Sequence, residues 1–344
     1  MGKFQSIQML RIIAAVLVVV FHAHQDAEGK NWTRIFRSED HVFSIGEAGV
    51  HVFFVISGFV MMVASISDKF DICSFLFRRF VRIYPLYWGV LAFALAIFAV
   101  IGRHIPTDPF QFVGVLLLWP GLAPRYISPA WTLTFEVYFY LCFAIAMMLG
   151  RNRGILALTA FFLGMIALRP FVDTNNPILD VVTNALLIEF LIGAGIGLLA
   201  INRRLPVPAG RWLMAASVLL FVAGLGLGDN DLMPKVVLWG VPSAFLILGA
   251  VCWESQSKMP RLVTTLARYG DGSYMLYLLH KPLQWGLLAA FVAIWPASTI
   301  TAIIWVLPIS LVCIIISELA YRRMEKPMMM FLRSRRSPKQ MLPT

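Results

Sequence analysis

The chain has 344 residues, of which 59% are hydrophobic and only 14% are charged, and its mean hydropathy is +0.78. This composition excludes an ordinary soluble protein and predicts an integral membrane protein. The formal net charge of +11 fits loops that orient the protein and contact anionic lipid headgroups, so we expect no nucleic-acid partner.

Apolar runs long enough to cross a bilayer recur along the chain. About 20 helical residues span a hydrocarbon core of about 30 Å. We predict ten membrane helices, at 7–24, 46–66, 83–101, 130–149, 155–170, 179–201, 212–228, 236–253, 273–295 and 299–321. The shorter run 110–119 ends in Trp-Pro-Gly, and we assign it to a re-entrant or interfacial segment of a loop.

The positions of Lys and Arg predict how these helices are oriented, because cytoplasmic loops are enriched in both residues. With the N-terminus inside, 21 of the 29 basic residues fall in inner segments. We therefore predict an all-α, polytopic bundle of about ten transmembrane helices with both termini in the cytoplasm. Residues 1–321 would form one transmembrane domain, and residues 322–344 a basic cytoplasmic tail on the lipid surface.

Two polar residues interrupt the first apolar run, although a charge at the bilayer centre costs roughly 2.5 to 3.5 kcal/mol. Arg11 and His22 are 11 residues apart, about three helical turns, and so share one face. A face with polar groups at both ends predicts a helix that lines an internal cavity. Each residue alone is equally explained by a position near a membrane surface.

Other predicted spans carry polar residues too. Arg79 and Arg82, at i and i+3, suit a clamp for phosphates, and ordinary topology charges explain them as well. Glu136 lies inside the fourth span, where a carboxylate rarely lacks a function. His280, one turn after Tyr277 in the ninth span, serves either a site or a structural hydrogen bond between helices.

These residues together predict one shared polar cavity. Arginines bind a phosphorylated donor, and a histidine that titrates near neutral pH accepts the proton of a hydroxyl. Acyl transfer to an alcohol needs both parts. A carrier that exports a glycan or an acid would use the same cavity without covalent chemistry, and a membrane protein without catalysis is a third possibility. The four cysteines lack paired spacing, so we expect neither a metal nor a disulfide framework.

The sequence resembles the acyltransferase family 3 of integral membrane O-acyltransferases over nearly its whole length. The resemblance rests on the blocks "SIQMLRIIAAVLVVVFHA", "GVHVFFVISGFVMM", "RRFVRIYPLYW", "SPAWTLTFEVYFYL" and "GSYMLYLLHKP", in that order. It implies a bundle of about ten helices that transfers an acyl group from cytoplasmic acyl-CoA, usually acetyl-CoA. The implied acceptor is a sugar hydroxyl of a surface or exported glycan. We expect the acceptor oxygen to attack the thioester directly, and a route through an acyl-histidine stays open as the variant.

The resemblance also implies roles for particular residues. The expected catalytic residues are His22, as the base, and Glu136, which would orient groups or relay protons. The expected holders of the donor phosphates are Arg11, Arg79 and Arg82. The expected contacts of the acceptor are His24, Trp131, Tyr277 and His280.

The resemblance points most closely to short, stand-alone members. These acetylate bacterial exopolysaccharides or lipid-linked glycans, which implies a multi-pass protein of the bacterial cytoplasmic membrane. One position departs from the family's pattern, because His51 stands where many relatives carry an acid.

Overall fold

The computed structural model describes residues 4–28, 44–65, 70–227, 234–294 and 299–334. These residues form helices and loops and no strand, which confirms the all-α prediction. The α-helices, in chain order, are α1 (Gln5–Glu28), α2 (Ile45–Ala64), α3 (Ile72–Ile101), α4 (Pro109–Leu116), α5 (Trp131–Met147), α6 (Arg151–Ala167), α7 (Pro177–Val182), α8 (Leu187–Ile201), α9 (Gly210–Leu227), α10 (Val241–Gln256), α11 (Arg261–Ala267), α12 (Ser273–Ile294), α13 (Thr299–Ala320) and α14 (Lys326–Ser334).

Within the described residues every predicted span overlaps a helix, and the protein is a polytopic membrane protein. Within the described part of the chain, nine helical segments are long and apolar enough to cross a membrane. Helix α12 is not among them, because His280, Lys281 and Gln284 lower its hydropathy. Its 22 residues still extend about 33 Å, which is enough to cross a hydrocarbon core.

Two segments differ from the predicted spans, and one short run agrees with its prediction. Helix α3 begins at Ile72, well before the predicted start at 83, because Asp71 caps it by accepting a hydrogen bond from the Ser74 amide at 3.0 Å. The predicted span 179–201 is divided into α7 and α8. The run 110–119 overlaps α4, whose eight residues are too few to cross the membrane, as predicted.

Helix α1 is surrounded by protein along its length. It packs against α2, α11, α12 and α13. Helix α3 packs in turn against α12 and α5. Polar side chains on α1 and α3 therefore project between helices, where partners on α2, α5 and α12 compensate for the loss of water.

The closest helix crossing joins α2 to α8. A Cβ atom on Gly58 would collide with the backbone of Phe190, and one on Gly193 would collide with the backbone of Val55. Small residues at such crossings let two backbones approach closely in a membrane. Phe190 then stacks on Phe139 of α5 with ring centroids 4.6 Å apart, which joins the pair to the rest of the bundle.

Candidate active site

A cavity of about 110 Å³ lies between α1, α2, α3, α5 and α12, and we call it the arginine cavity. All three arginines expected to hold a donor line it, together with a carboxylate and several hydroxyl groups. Its polar lining residues are Arg11, Ser57, Arg79, Arg82, Thr132, Glu136, Tyr140, Tyr274 and Tyr277. Residues that are far apart in the chain thus meet at one place, although neither His22 nor His280 lines this cavity.

Arg82 is already paired within this cavity. Its Nη1 atom donates to Glu325 Oε1 at 2.6 Å, and Glu325 is only 2% exposed. The guanidinium also lies 5.0 Å from the centroid of the Tyr274 ring. Glu325 ends the π-helical segment Tyr321–Glu325 between α13 and α14, so the C-terminal part of the chain supplies the partner of a cavity arginine.

Arg79 has a different environment. Its guanidinium lies over the rings of Phe75 and Tyr140, with distances of 5.8 and 5.9 Å to their centroids. Its Nε atom is buried and has no hydrogen-bond partner within the described ranges. Arg79 therefore has an N–H donor available for an anion, whereas Arg82 donates to Glu325.

Glu136 belongs to the arginine cavity and does not meet His22. Its Oε1 atom accepts hydrogen bonds from Ser57 Oγ at 2.9 Å and from Tyr140 OH at 2.7 Å. The same two hydroxyls lie 3.1 Å apart. The triangle holds the carboxylate among the arginines, where it balances their charge.

A second cavity of about 500 Å³ contains His22, and we call it the histidine cavity. Aromatic and polar side chains line it, from α1, α2, α5 and α12 and from the segments before α8 and α10. These include His22, Gln25, Glu47, His51, Trp131, Asn184, Lys235 and Tyr277. Volume and lining resemble small-molecule sites, which occupy roughly 300 to 1,000 Å³ and combine aromatic walls with a few polar groups.

The structure divides the expected single cavity into two that share a wall. Val50 and Tyr277 line both cavities. The Tyr277 hydroxyl lies 2.9 Å from Thr132 Oγ1, which holds the ring in this wall. The Tyr277 ring also packs edge-on against Phe53 of α2, with ring centroids 5.3 Å apart.

His22 is tied to both its own helix and α12. Its Nδ1 atom lies 3.0 Å from the Val18 carbonyl oxygen and 3.2 Å from Nε2 of His280. His280 is fully buried, and its Nδ1 atom lies 3.1 Å from the Leu276 carbonyl oxygen. The structure thus brings together the two histidines that the sequence singled out.

Two of the expected acceptor contacts lie behind the cavity walls. Trp131 and Tyr277 line the histidine cavity, whereas His24 and His280 are buried and are absent from the described lining of either cavity.

An ion pair also joins α1 to α12 next to His280. The Lys281 ammonium group donates to Asp26 Oδ1 at 2.6 Å.

Sequence reasoning missed a histidine–carboxylate pair in the histidine cavity. His51 Nδ1 lies 2.5 Å from Oε1 of Glu189, which is completely buried on α8. His51, the residue that departs from the family's pattern, therefore pairs with a buried carboxylate on α8. Glu189 lies inside a predicted span, and the reasoning that selected Glu136 would have selected it as well. Nowhere in the described ranges do three His, Cys, Asp or Glu side chains converge as a metal site would require.

Together, the fold and the cavities identify the class of this protein. It is a multi-pass membrane protein in which buried polar side chains line cavities between helices. A family model described as an acyltransferase domain matches residues 4–321. The chain belongs to this family, the acyltransferase family 3 of membrane O-acyltransferases.

Two relatives align with most of the chain. The exopolysaccharide production protein ExoZ of Rhizobium meliloti (strain 1021) is 31% identical over 258 residues, which cover 70% of this chain and 77% of the relative. The acyltransferase MdmB of Streptomyces mycarofaciens is 26% identical over 313 residues, which cover 81% of this chain and 78% of the relative. No solved structure matches the chain significantly.

Proposed function

We propose that this membrane O-acyltransferase moves an acetyl group from cytoplasmic acetyl-CoA to a hydroxyl of an exported or lipid-linked glycan in the bacterial cytoplasmic membrane. The observation that carries the proposal is the pair of adjoining cavities, one lined by arginines and one containing His22. The similarity to a protein named for exopolysaccharide production supports a glycan acceptor.

The arginine cavity is suited to the donor. Its three guanidinium groups offer charge and planar hydrogen-bond donors, which match phosphate groups. At about 110 Å³ the cavity is smaller than the usual ligand site, so the phosphates would bind at its mouth and only a narrow arm would enter. For the acetyl group to reach His22, the wall formed by Val50 and Tyr277 must admit that arm.

The histidine cavity is suited to the acceptor. Trp131 and Tyr277 offer aromatic faces to a sugar ring, and His22 lies beside them. In the reaction, a ring nitrogen of His22 takes the proton from the acceptor hydroxyl. The oxygen forms a bond to the thioester carbonyl carbon, the carbon–sulfur bond breaks, and the imidazolium returns the proton to the leaving thiolate.

The decisive experiment measures acetyl transfer by the purified protein in detergent, with acetyl-CoA and candidate oligosaccharides, by mass spectrometry of the product. We expect His22→Ala to lower kcat about 10²- to 10⁴-fold, the usual contribution of a general base. Acetyl-CoA binding should be unchanged, since His22 lies outside the arginine cavity.

His104→Ala is the matched control, because it removes an exposed imidazole that lines neither cavity, from the loop between α3 and α4. Wild-type protein that consumes no acetyl-CoA while it binds glycan would favour the carrier instead. Full turnover by His22→Ala would assign the base to another residue. The acceptor sugar would be identified by the acetyl group missing from surface polysaccharides of a deletion strain.

A further inference from the structure

His280 is placed to control which nitrogen of His22 is free to react. This inference rests on the proposed function, in which His22 is the base. His280 lies on α12, and its side chain is fully buried. The ring centroids of the two histidines are 5.1 Å apart, so the contact is direct.

The two rings form a chain of three contacts that begins and ends at backbone carbonyls. Leu276 O lies 3.1 Å from Nδ1 of His280, Nε2 of His280 lies 3.2 Å from Nδ1 of His22, and this same Nδ1 lies 3.0 Å from Val18 O. Each carbonyl belongs to the residue one helical turn before its histidine. The backbone of α1 and α12 therefore anchors both rings.

Carbonyl oxygens only accept hydrogen bonds, which determines where the protons lie. His280 must carry its proton on Nδ1 to donate to Leu276, so its Nε2 atom is an acceptor when the ring is neutral. His22 must carry its proton on Nδ1, because that atom faces the Val18 carbonyl and the accepting Nε2 atom of His280. If each histidine were instead protonated on Nε2 alone, its bare Nδ1 atom would face a carbonyl oxygen. A nitrogen lone pair would then oppose an oxygen lone pair in both carbonyl contacts.

We propose that His280 is a positioning residue that holds His22 in the tautomer with a proton on Nδ1 and a bare Nε2. The bare Nε2 atom is then the only ring nitrogen of His22 that can take the acceptor's proton. No described residue makes a hydrogen bond to it. After proton transfer, the Nδ1–H group of the imidazolium donates a charge-assisted hydrogen bond to His280 Nε2, which stabilises the charge as it forms.

The tautomers can be tested without any substrate. Protein labelled with ¹⁵N only in histidine would be studied by NMR in detergent, and the His22 signals would be assigned by their loss in His22→Ala. We expect one protonated nitrogen, Nδ1, and one bare nitrogen, Nε2, for His22 in the wild type. A His22 ring protonated on Nε2 would overturn the proposal.

Two amide substitutions separate positioning from simple packing. The carbonyl oxygen of Gln in His280→Gln reaches about as far as Nε2 and still accepts from His22. The shorter amide of His280→Asn reaches only the position of Nδ1. We expect His280→Asn to lower kcat roughly 10- to 100-fold, as expected for one lost hydrogen bond to a charged group, with little change in either KM. His280→Gln should restore most of that loss, whereas equal kcat values for the two variants would contradict the proposal.

Gln284→Ala is the matched control. The Gln284 amide nitrogen donates to the Val19 carbonyl at 3.0 Å, so this buried side chain also joins α12 to α1, one turn beyond His280. We expect its loss to leave kcat unchanged. If wild-type protein transferred no acetyl group, the proposed function would fail while the tautomer measurement stood. If wild type were active and His280→Asn equally active, this inference alone would fail.

Discussion

Arg82 and Arg79 look equivalent in the sequence, but the structure gives them different tasks. Arg82 is held by Glu325, whereas the described residues place only aromatic rings against the guanidinium of Arg79. A carboxylate that is 2% exposed depends on its cation, because an unpaired charge in such a place is costly. Arg82 therefore contributes to stability as well as to the charge of the cavity.

We expect Arg82→Ala to destabilise the protein by about 3 to 5 kcal/mol, the cost of breaking a buried ion pair from one side. The double variant Arg82→Ala, Glu325→Ala should recover part of this loss, since no carboxylate is then left unpaired. Thermal unfolding in detergent measures both. A double variant that is less stable than Arg82→Ala would show that Glu325 acts through other contacts.

Arg79→Ala is expected to affect donor binding more than stability, in contrast to Arg82→Ala. The loss of two cation–π contacts should cost only about 0.5 to 1 kcal/mol each at a partly exposed site. Under the proposed function its main effect should be a higher KM for acetyl-CoA, measured by initial rates at saturating acceptor. An unchanged donor KM would assign Arg79 to membrane topology.

At the level of helices, the crossing of α2 and α8 positions residues of both cavities. Ser57, next to Gly58, binds Glu136 in the arginine cavity, and His51 binds Glu189 at the histidine cavity. The contact between His51 and Glu189 joins α2 to α8 directly, so it depends on how closely the two backbones approach at Gly58 and Gly193. A larger residue at either position would push the helices apart.

Gly193→Ala should therefore destabilise the protein by at least about 1 to 3 kcal/mol, the usual cost of overpacking, because the new methyl group meets the Val55 backbone and no flexible side chain can yield. Gly195→Ala is the control on the same helix, because its new methyl group would meet no described atom within 4 Å. The melting temperature in detergent should fall for the first variant only. Equal melting temperatures would show that α2 and α8 adjust without cost.

Hydropathy predicted the existence of the helices better than their ends. The first residues of α3 are mostly apolar, but Arg78, Arg79 and Arg82 interrupt the apolar run, so the predicted span began only after them. The sequence signal for the true start was the capping residue Asp71, which lies outside the apolar run. The break between α7 and α8 has no strong signal, since apolar residues continue on both sides.

For the molecule as a whole, the shared wall between the cavities decides whether donor and acceptor can meet. Val50 and Tyr277 line both cavities, so these two side chains lie where the cavities adjoin. Transfer under the proposed function requires the acetyl group to pass this wall. The size of residue 50 should then control turnover without changing how the phosphates bind.

We expect Val50→Phe to lower kcat at least about tenfold, equivalent to roughly 1.4 kcal/mol in the barrier, with unchanged acetyl-CoA binding. Val50→Ala should keep kcat near the wild-type value, because it widens the passage. Single-turnover acetyl transfer and acetyl-CoA binding, measured on the same preparations, separate the two effects. Normal turnover by Val50→Phe would show that the acetyl group reaches His22 by another path.

The sequence by itself determined that this is a multi-pass all-α membrane protein, and its motifs identified the family and most of the polar residues of the two cavities. Hydropathy and motifs are local properties, so a linear reading suffices for them. Only the tertiary structure decided which polar groups meet, because the partners are far apart in the chain: His51 and Glu189 by 138 residues, Arg82 and Glu325 by 243, and His22 and His280 by 258. It also decided that Val50 of α2 and Tyr277 of α12 lie where the two cavities adjoin. Their positions depend on how all the surrounding helices pack, which a linear reading does not provide.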